Sequence, residues 1–373
     1  MYPFPDIYIA VWKVILYFIY RCFSVSLYER VKEQMKSNLF RRICQEDYIH
    51  SSMHSSPVCV IPSKESAIIT VSVNDHMFIY DYNRMTATLT NRGKGSLKHS
   101  HDAADMKICS STVERQKEIV YTVDVSGDVH LTKLGEDSRD SILETSFSSG
   151  DDTFLKQQFR NLQPCWADIL AADNMLLVSH GTLRTVHALS LDGIPVDYVK
   201  LGTYASAMAG LKNMPNVFAT AEGQEVVIYD IRAGNHLGNS YAQRYFIGKE
   251  KLLTLTEGSE NQIIASGYSR SLAFVDLRTN RMGPQMATKT KYEVNFVHGE
   301  KGPKLVEKPE DTDDFAYVAG SDAEMKILST KSKKVLFSSY ADDCWSGRPV
   351  AHDGLFAGIS CRGSLLVVDS RQA

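Results

Sequence analysis

No C-x-x-C pair occurs in the chain, and its 7 cysteines (Cys22, Cys44, Cys59, Cys109, Cys165, Cys344, Cys361) are odd in number. Zinc-ribbon and thioredoxin-type motifs are excluded on that spacing. Asn-x-Ser/Thr sequons are missing too. Both absences favour a reducing, intracellular compartment, either nuclear, at the nuclear envelope, or cytoplasmic. Charge of one sign is also lacking: 41 Lys and Arg stand against 44 Asp and Glu, a net −3. No bulk basic field exists to draw nucleic acid or an anionic membrane, so no direct nucleic-acid contact is expected. Glycine (23) and proline (11) are too few for a collagen or a low-complexity array. With 43% hydrophobic and 23% charged residues over 373 positions, wholesale disorder is excluded and a sizeable core is expected.

Long apolar runs are scarce as well. The main one, Ile7 to Tyr20, is interrupted by Lys13 and closed by Arg21. It falls short of the about 18–20 residues that span a bilayer. Phe23 to Leu27 could prolong it, so membrane contact is expected only if residues 7–27 are a true anchor. Residues 1–35 are read as an N-terminal apolar extension, helical or non-native, ahead of a domain at 36–373.

Helical periodicity is rare after Met35. In its place one pattern recurs: an apolar run, a polar turn and a second apolar run that ends in a polar residue. Val217 to Asp230 reads VFATAEGQEVVIYD and Ile263 to Asp276 reads IIASGYSRSLAFVD. Further copies end at Asp81, Lys133, His187, Ser329 and Asp369, with the copy before His187 the weakest. Each arm is short, rich in β-branched or aromatic residues, and bounded by turn formers, which predicts a hairpin. A lone hairpin cannot bury its face, so each needs neighbours. Before the pairs lie candidate strands such as Leu252–Thr256 and Tyr292–Val297, and after them Thr86–Thr90, Val196–Leu201 and Lys334–Ser339. Four strands per about 40–50 residues is the period of a propeller blade.

These seven copies resemble the WD40-repeat family of β-propellers. The resemblance implies an all-β fold, a seven-bladed WD40-like β-propeller with its ring closed by an N-terminal strand. Tyr80-Asp81, Tyr229-Asp230, Val275-Asp276 and Val368-Asp369 stand where that family carries Trp-Asp, and Gly-His is absent. The family's buried His–Ser–Asp–Trp network is therefore expected to be lost, leaving the blades to hold mainly by apolar packing. The chain stops just past a third strand at Asp369. The segment Asn38 to Cys44 is the candidate for the missing fourth.

Catalytic motifs are mostly wanting. Gly93-Lys94-Gly95-Ser96 lacks the spacing of a phosphate loop and reads as a turn between blades. His101-Asp102 has no companion ligands. Gly358 to Gly363 misses G-x-S-x-G by one position and joins strand to strand. No enzyme activity, cofactor, metal or small-molecule substrate is expected. Three Asp-x-Arg tripeptides end third strands: Asp230-Ile231-Arg232, Asp276-Leu277-Arg278 and Asp369-Ser370-Arg371. As a docking surface they are similar to the box of propeller substrate receptors in cullin–RING ubiquitin ligases. As a turn, each Asp accepts backbone bonds and pairs with its Arg. Two insertions, Leu134–Pro164 and Gly299–Asp314, are long enough to be partner sites or solvated loops. Pro164-Cys165, Asn216–Gly234, Ile263–Arg278 and Tyr292–Phe296, with the blade lengths, resemble a small propeller subunit of the Y-shaped outer-ring scaffold of the nuclear pore. That resemblance implies a scaffold working among other proteins in a multisubunit complex.

Overall fold

The computed structural model describes residues 35–41, 43, 57–73, 76–96, 108–114, 118–124, 127–134, 143–148, 167–172, 175–181, 184–211, 213–214, 216–233, 241–258, 261–301 and 314–370. Residues 7–27, Cys44, His101-Asp102 and Arg371 lie outside the described residues. Among those described, no helix is long and apolar enough to cross a membrane.

The alternating runs fold as seven antiparallel sheets arranged as a seven-bladed β-propeller. Blade one is β2 (Val58–Pro62), β3 (Ser66–Val73), β4 (His76–Asn83) and β5 (Thr88–Ser96). Blade two is β6 (Ile108–Glu114), β7 (Ile119–Asp124), β8 (Asp128–Lys133) and β9 (Leu143–Ser148). Blade three is β10 (Ala167–Ala172), β11 (Met175–His180), β12 (Thr185–Ser190) and β13 (Pro195–Lys200). Blade four is β14 (Ala207–Gly210), β15 (Val217–Glu222), β16 (Glu225–Asp230) and β17 (Tyr241–Phe246). Blade five is β18 (Leu252–Glu257), β19 (Gln262–Gly267) and β20 (Ser271–Asp276), edged by two short pieces, β21 (Arg281–Met282) and β22 (Met286–Ala287). Blade six is β23 (Val294–Lys301), β24 (Asp314–Gly320), β25 (Glu324–Ser329) and β26 (Val335–Tyr340). Blade seven has β27 (Val350–His352), β28 (Leu355–Ile359) and β29 (Leu365–Asp369).

Its fourth strand is β1 (Lys36–Phe40), paired antiparallel to β29 from Lys36↔Asp369 to Phe40↔Leu365. Strand closure is as expected, two residues earlier than Asn38. β1 also touches blade one: the Phe40 ring meets Tyr82 edge-on at 6.2 Å, and the Asn38 amide donates to the Tyr82 hydroxyl. Closing the ring in this way removes two open sheet edges.

Each hairpin buries both faces, because a propeller blade is sandwiched between two others. Seven apolar clusters result, one at each junction of neighbouring blades. Phe356, Trp345 and Phe296 form one of them between blades six and seven, with ring centroids 5.8 and 5.9 Å apart. Removing such a ring leaves a cavity that costs about 3–5 kcal/mol.

Three expectations change. Gly93-Lys94-Gly95-Ser96 is not a turn but the end of β5, paired to β4. The supposed insertion after Leu134 contains β9, the outer strand of blade two. The weakest repeat runs three residues past His187, to Ser190. Apolar packing between blades is as expected, and the buried carboxylates described next add hydrogen bonds to it.

Candidate interaction surface

Inner strands begin at one end of the ring and finish at the other, so the propeller has an entry face and an exit face. Asp230–Arg232 and Asp276–Arg278 fall at the exit face, where third strands end, as does Asp369 of the third tripeptide. Asp230 takes the amide of Arg232 and its Nε at 3.0 Å on Oδ1, and its Nη2 at 2.7 Å on Oδ2. The Arg232 bond is the main reason the Asp230 carboxyl sits below the usual carboxylate range. Asp276 accepts the amides of Arg278 and Thr279, and Arg278 is exposed. Asp369 differs: it is fully buried and holds Arg84 of blade one, with Nε at 2.8 Å and Nη2 at 2.6 Å. The structure thus leaves Arg232 and Arg278 on one exposed face, and turns Asp369 into part of the ring closure.

The entry face carries features that the sequence did not single out. Arg348, just ahead of β27 in blade seven, reaches across the ring. Its Nη1 meets Asp168 Oδ2 of blade three at 3.2 Å, and its Nη2 donates to the Ser206 carbonyl at 3.0 Å. Asp168 Oδ1 in turn accepts the Ser110 hydroxyl of blade two at 2.7 Å. One guanidinium therefore straps the mouth of the central channel.

Loops between blades are pinned on this face by buried carboxylates. Glu222 Oε1 accepts Tyr229 Oη at 2.6 Å and Thr220 Oγ1 at 2.9 Å, while its Oε2 takes the Thr203 amide at 2.9 Å. Burial, with the Glu222 bond, pushes the Tyr229 hydroxyl pKa far up, so it stays a donor. Glu324 does the same in blade six: it accepts Tyr340 Oη at 2.8 Å, the Lys326 ammonium at 2.9 Å and the Lys291 amide at 3.2 Å. Burial works to raise the Glu324 carboxyl, but Lys326, Tyr340 and the Lys291 amide outweigh it and hold it below the usual range. Lys326 also donates to the Lys289 carbonyl. In the link to blade seven, Asp342 accepts the hydroxyls of Ser360 and Ser364, both at 2.6 Å.

The pinned loops and strand ends present a row of aromatic rings. Tyr204, Phe246, Tyr268, Tyr292 and Tyr340 all lie at the entry face of blades four to six and are 45–59% exposed. Tyr198 is the one other exposed aromatic among the described residues. Singly exposed apolar side chains are ordinary, but five exposed rings on one face of three adjacent blades are a candidate contact surface. Lys249, Lys251, Arg270, Lys289 and Lys291 are exposed between these rings, and Lys291 Nζ lies 5.2 Å from the Tyr292 centroid. Glu250 is the exposed acid of the same stretch, with Glu293 and Asp322 half-buried. The sector is therefore aromatic and basic.

At the exit face lies a cavity of about 280 Å³ lined by Leu170, Met208, Leu211, Phe218, His298 and His352. Among the described residues no group of three His, Cys, Asp or Glu side chains converges as metal ligands.

Comparison with known proteins agrees on the architecture. No family model matches the chain, and no curated protein matches it in sequence. Among solved structures it is similar to Raptor from Chaetomium thermophilum, at a TM-score of 0.65 and 10% identity over 91% of this chain. The match spans 29% of Raptor's own chain. At that identity the likeness shows the fold alone, a seven-bladed β-propeller.

Proposed function

We propose that this chain is a non-catalytic scaffold that binds other proteins through the entry face of blades four to six. The row of Tyr204, Phe246, Tyr268, Tyr292 and Tyr340 on hydrogen-bonded loops carries this reading. Rigid aromatic rings lose little entropy on binding and dominate interface energies. Five exposed basic side chains among them select a partner segment with acidic and apolar residues. The assembly favoured by the sequence resemblance is the outer ring of the nuclear pore, which would put the chain at the nuclear envelope.

The test is affinity purification with quantitative mass spectrometry, comparing the full chain with Phe246→Ser/Tyr268→Ser/Tyr292→Ser and with Arg232→Ala/Arg278→Ala. Outer-ring nucleoporins should be recovered in even amounts with the parent chain, kept by the arginine variant and lost by the aromatic one. The second reading, a substrate receptor of a cullin–RING ligase, draws on the exposure of Arg232 and Arg278 at the exit face. Recovery of a cullin adaptor that only the arginine variant loses would replace the first reading by the second. A partner set kept in full by the aromatic variant would sink the entry-face proposal.

A further inference from the structure

The entry face of blade seven holds two thiols in contact. Cys344 lies in the link between β26 and β27, and Cys361 lies in the turn between β28 and β29. Their sulfurs are 3.4 Å apart. The backbone makes this approach: Trp345 and Ser360 form an antiparallel bridge, the Cys361 amide donates to the Cys344 carbonyl at 2.8 Å, and the Ser346 amide donates to Ile359. The two residues are thus cross-strand neighbours with side chains on the same side. A disulfide requires about 2.05 Å, so the sulfurs need only a small rotation about each Cα–Cβ bond to join. Cys344 is exposed and Cys361 partly so, which lets a small oxidant in. Cys59 is the contrast: it is buried, bonded to Ser111, and its thiol is pushed up to about 11, chiefly by burial.

We propose that Cys344 and Cys361 are a reversible oxidation site, closing to an intramolecular disulfide under peroxide. The step balances as follows. The Cys344 sulfur attacks one oxygen of the peroxide, its O–O bond breaks, and the other oxygen leaves as water with the thiol proton. Cys344 is then a sulfenic acid. The Cys361 sulfur attacks the Cys344 sulfur, and the S–O bond breaks. The hydroxyl leaves as a second water with the Cys361 proton. Two thiols lose two electrons and two protons, and one peroxide is reduced to two waters. Burial, the neighbouring Cys344 and Asp343 push the Cys361 thiol up to about 12. It is therefore the resolving partner, and the exposed Cys344 meets the oxidant first.

The bond has a structural consequence. The segment from Cys344 to Arg348 is anchored by Trp345, which is buried against Phe356, and ends in the strap to Asp168 and Ser206. Closing the disulfide fixes the start of that segment covalently to blade seven, and so holds the channel mouth. This inference is independent of which partner the aromatic sector binds.

The experiment treats the full chain with hydrogen peroxide, alkylates remaining thiols, and maps peptides without reduction. The expected result is a peptide linking Cys344 to Cys361, lighter by two hydrogens, lost again on reduction by dithiothreitol. Amide exchange over residues 344–348 should slow in the oxidised protein. In Cys344→Ser and Cys361→Ser the linked peptide must vanish, and both variants should fold, because a serine fits either position. Recovery of both residues as free thiols, as separate sulfinic acids, or in bonds between two chains would overturn the proposal. Unchanged exchange over 344–348 in a fully linked sample would overturn its claim on the strap.

Discussion

The bond between Arg84 and Asp369 offers the most direct test of how the ring is closed. Arg84 follows β4 in blade one and Asp369 ends β29 in blade seven. Both are nearly or fully buried, at 3% and 0% exposure. The pairing is bidentate at 2.8 and 2.6 Å, and Arg84 also donates to the carbonyls of Ser63 and Asp353. Arg84→Met keeps most of the side-chain volume but leaves a buried carboxylate without its cation. Removing one partner of such a pair costs about 3–5 kcal/mol, because the other charge is stranded out of water. Replacing both, as Arg84→Met/Asp369→Leu, removes the stranded charge, takes one donor from the Ser63 and Asp353 carbonyls, and should restore most of the stability. Urea unfolding at neutral pH, followed by tryptophan fluorescence, measures both variants against the parent. An Arg84→Met cost below about 1 kcal/mol, or a double variant as unstable as the single, would refute the reasoning. Arg232→Ala, in the exposed pair with Asp230, should leave the unfolding curve unchanged.

Other outcomes follow from particular residues. Deleting residues 36–41 removes β1 and exposes the edge of β29, so the truncated chain should melt far lower and aggregate. Melting like the parent would end the strand-closure account. His187 is buried, and burial first, then the nearby His180, pushes its imidazole down to about 4. An unfolded histidine titrates near 6.5, so the unfolded chain binds the extra proton between these values. His187 therefore contributes stability that is fully present above about pH 6.5 and lost as the pH falls towards 4, at most about 3 kcal/mol. Unfolding between pH 7 and 4.5 should show that slope in the parent and lose it in His187→Gln. At Gly267 an added Cβ would sit 2.8 Å from the Leu253 backbone nitrogen, where nothing can give way. Gly267→Ala should then cost at least the about 1–3 kcal/mol of ordinary overpacking. Gly358→Ala drives its Cβ to 2.7 Å from Cζ3 of Trp345 and should tilt that ring, read as a shift in tryptophan emission.

What could be read ahead of the structure follows a physical rule. A hairpin is local, so the pattern from Val217 to Asp230 predicts the outer ends of β15 and β16. The ring follows, since seven such pairs share one way to bury both faces. Outer strands were harder: β9 lies in a stretch that reads as polar, and a strand at the outer edge of a blade need not be apolar. Turn chemistry was legible where it is local, as at Asp230 and Arg232, two residues apart. The same tripeptide text misleads at Asp369, whose partner Arg84 stands 285 positions away. Periodicity carries no information about such a distance. The entry face was opaque for the same reason. Its five rings come from five separate strand ends and loops, and only the common start of the inner strands brings them to one side. Arg348 meets Asp168 across 180 residues, and Cys344 meets Cys361 across 17. A propeller separates its two tasks along the chain. Blade interiors repeat, because packing between sheets demands the same pattern seven times. Loops do not repeat, because each is free to differ once its blade is secured. Function therefore collects where the repeat is silent, and the unrepeated aromatic, basic and thiol residues of one face are where binding and its control should be sought.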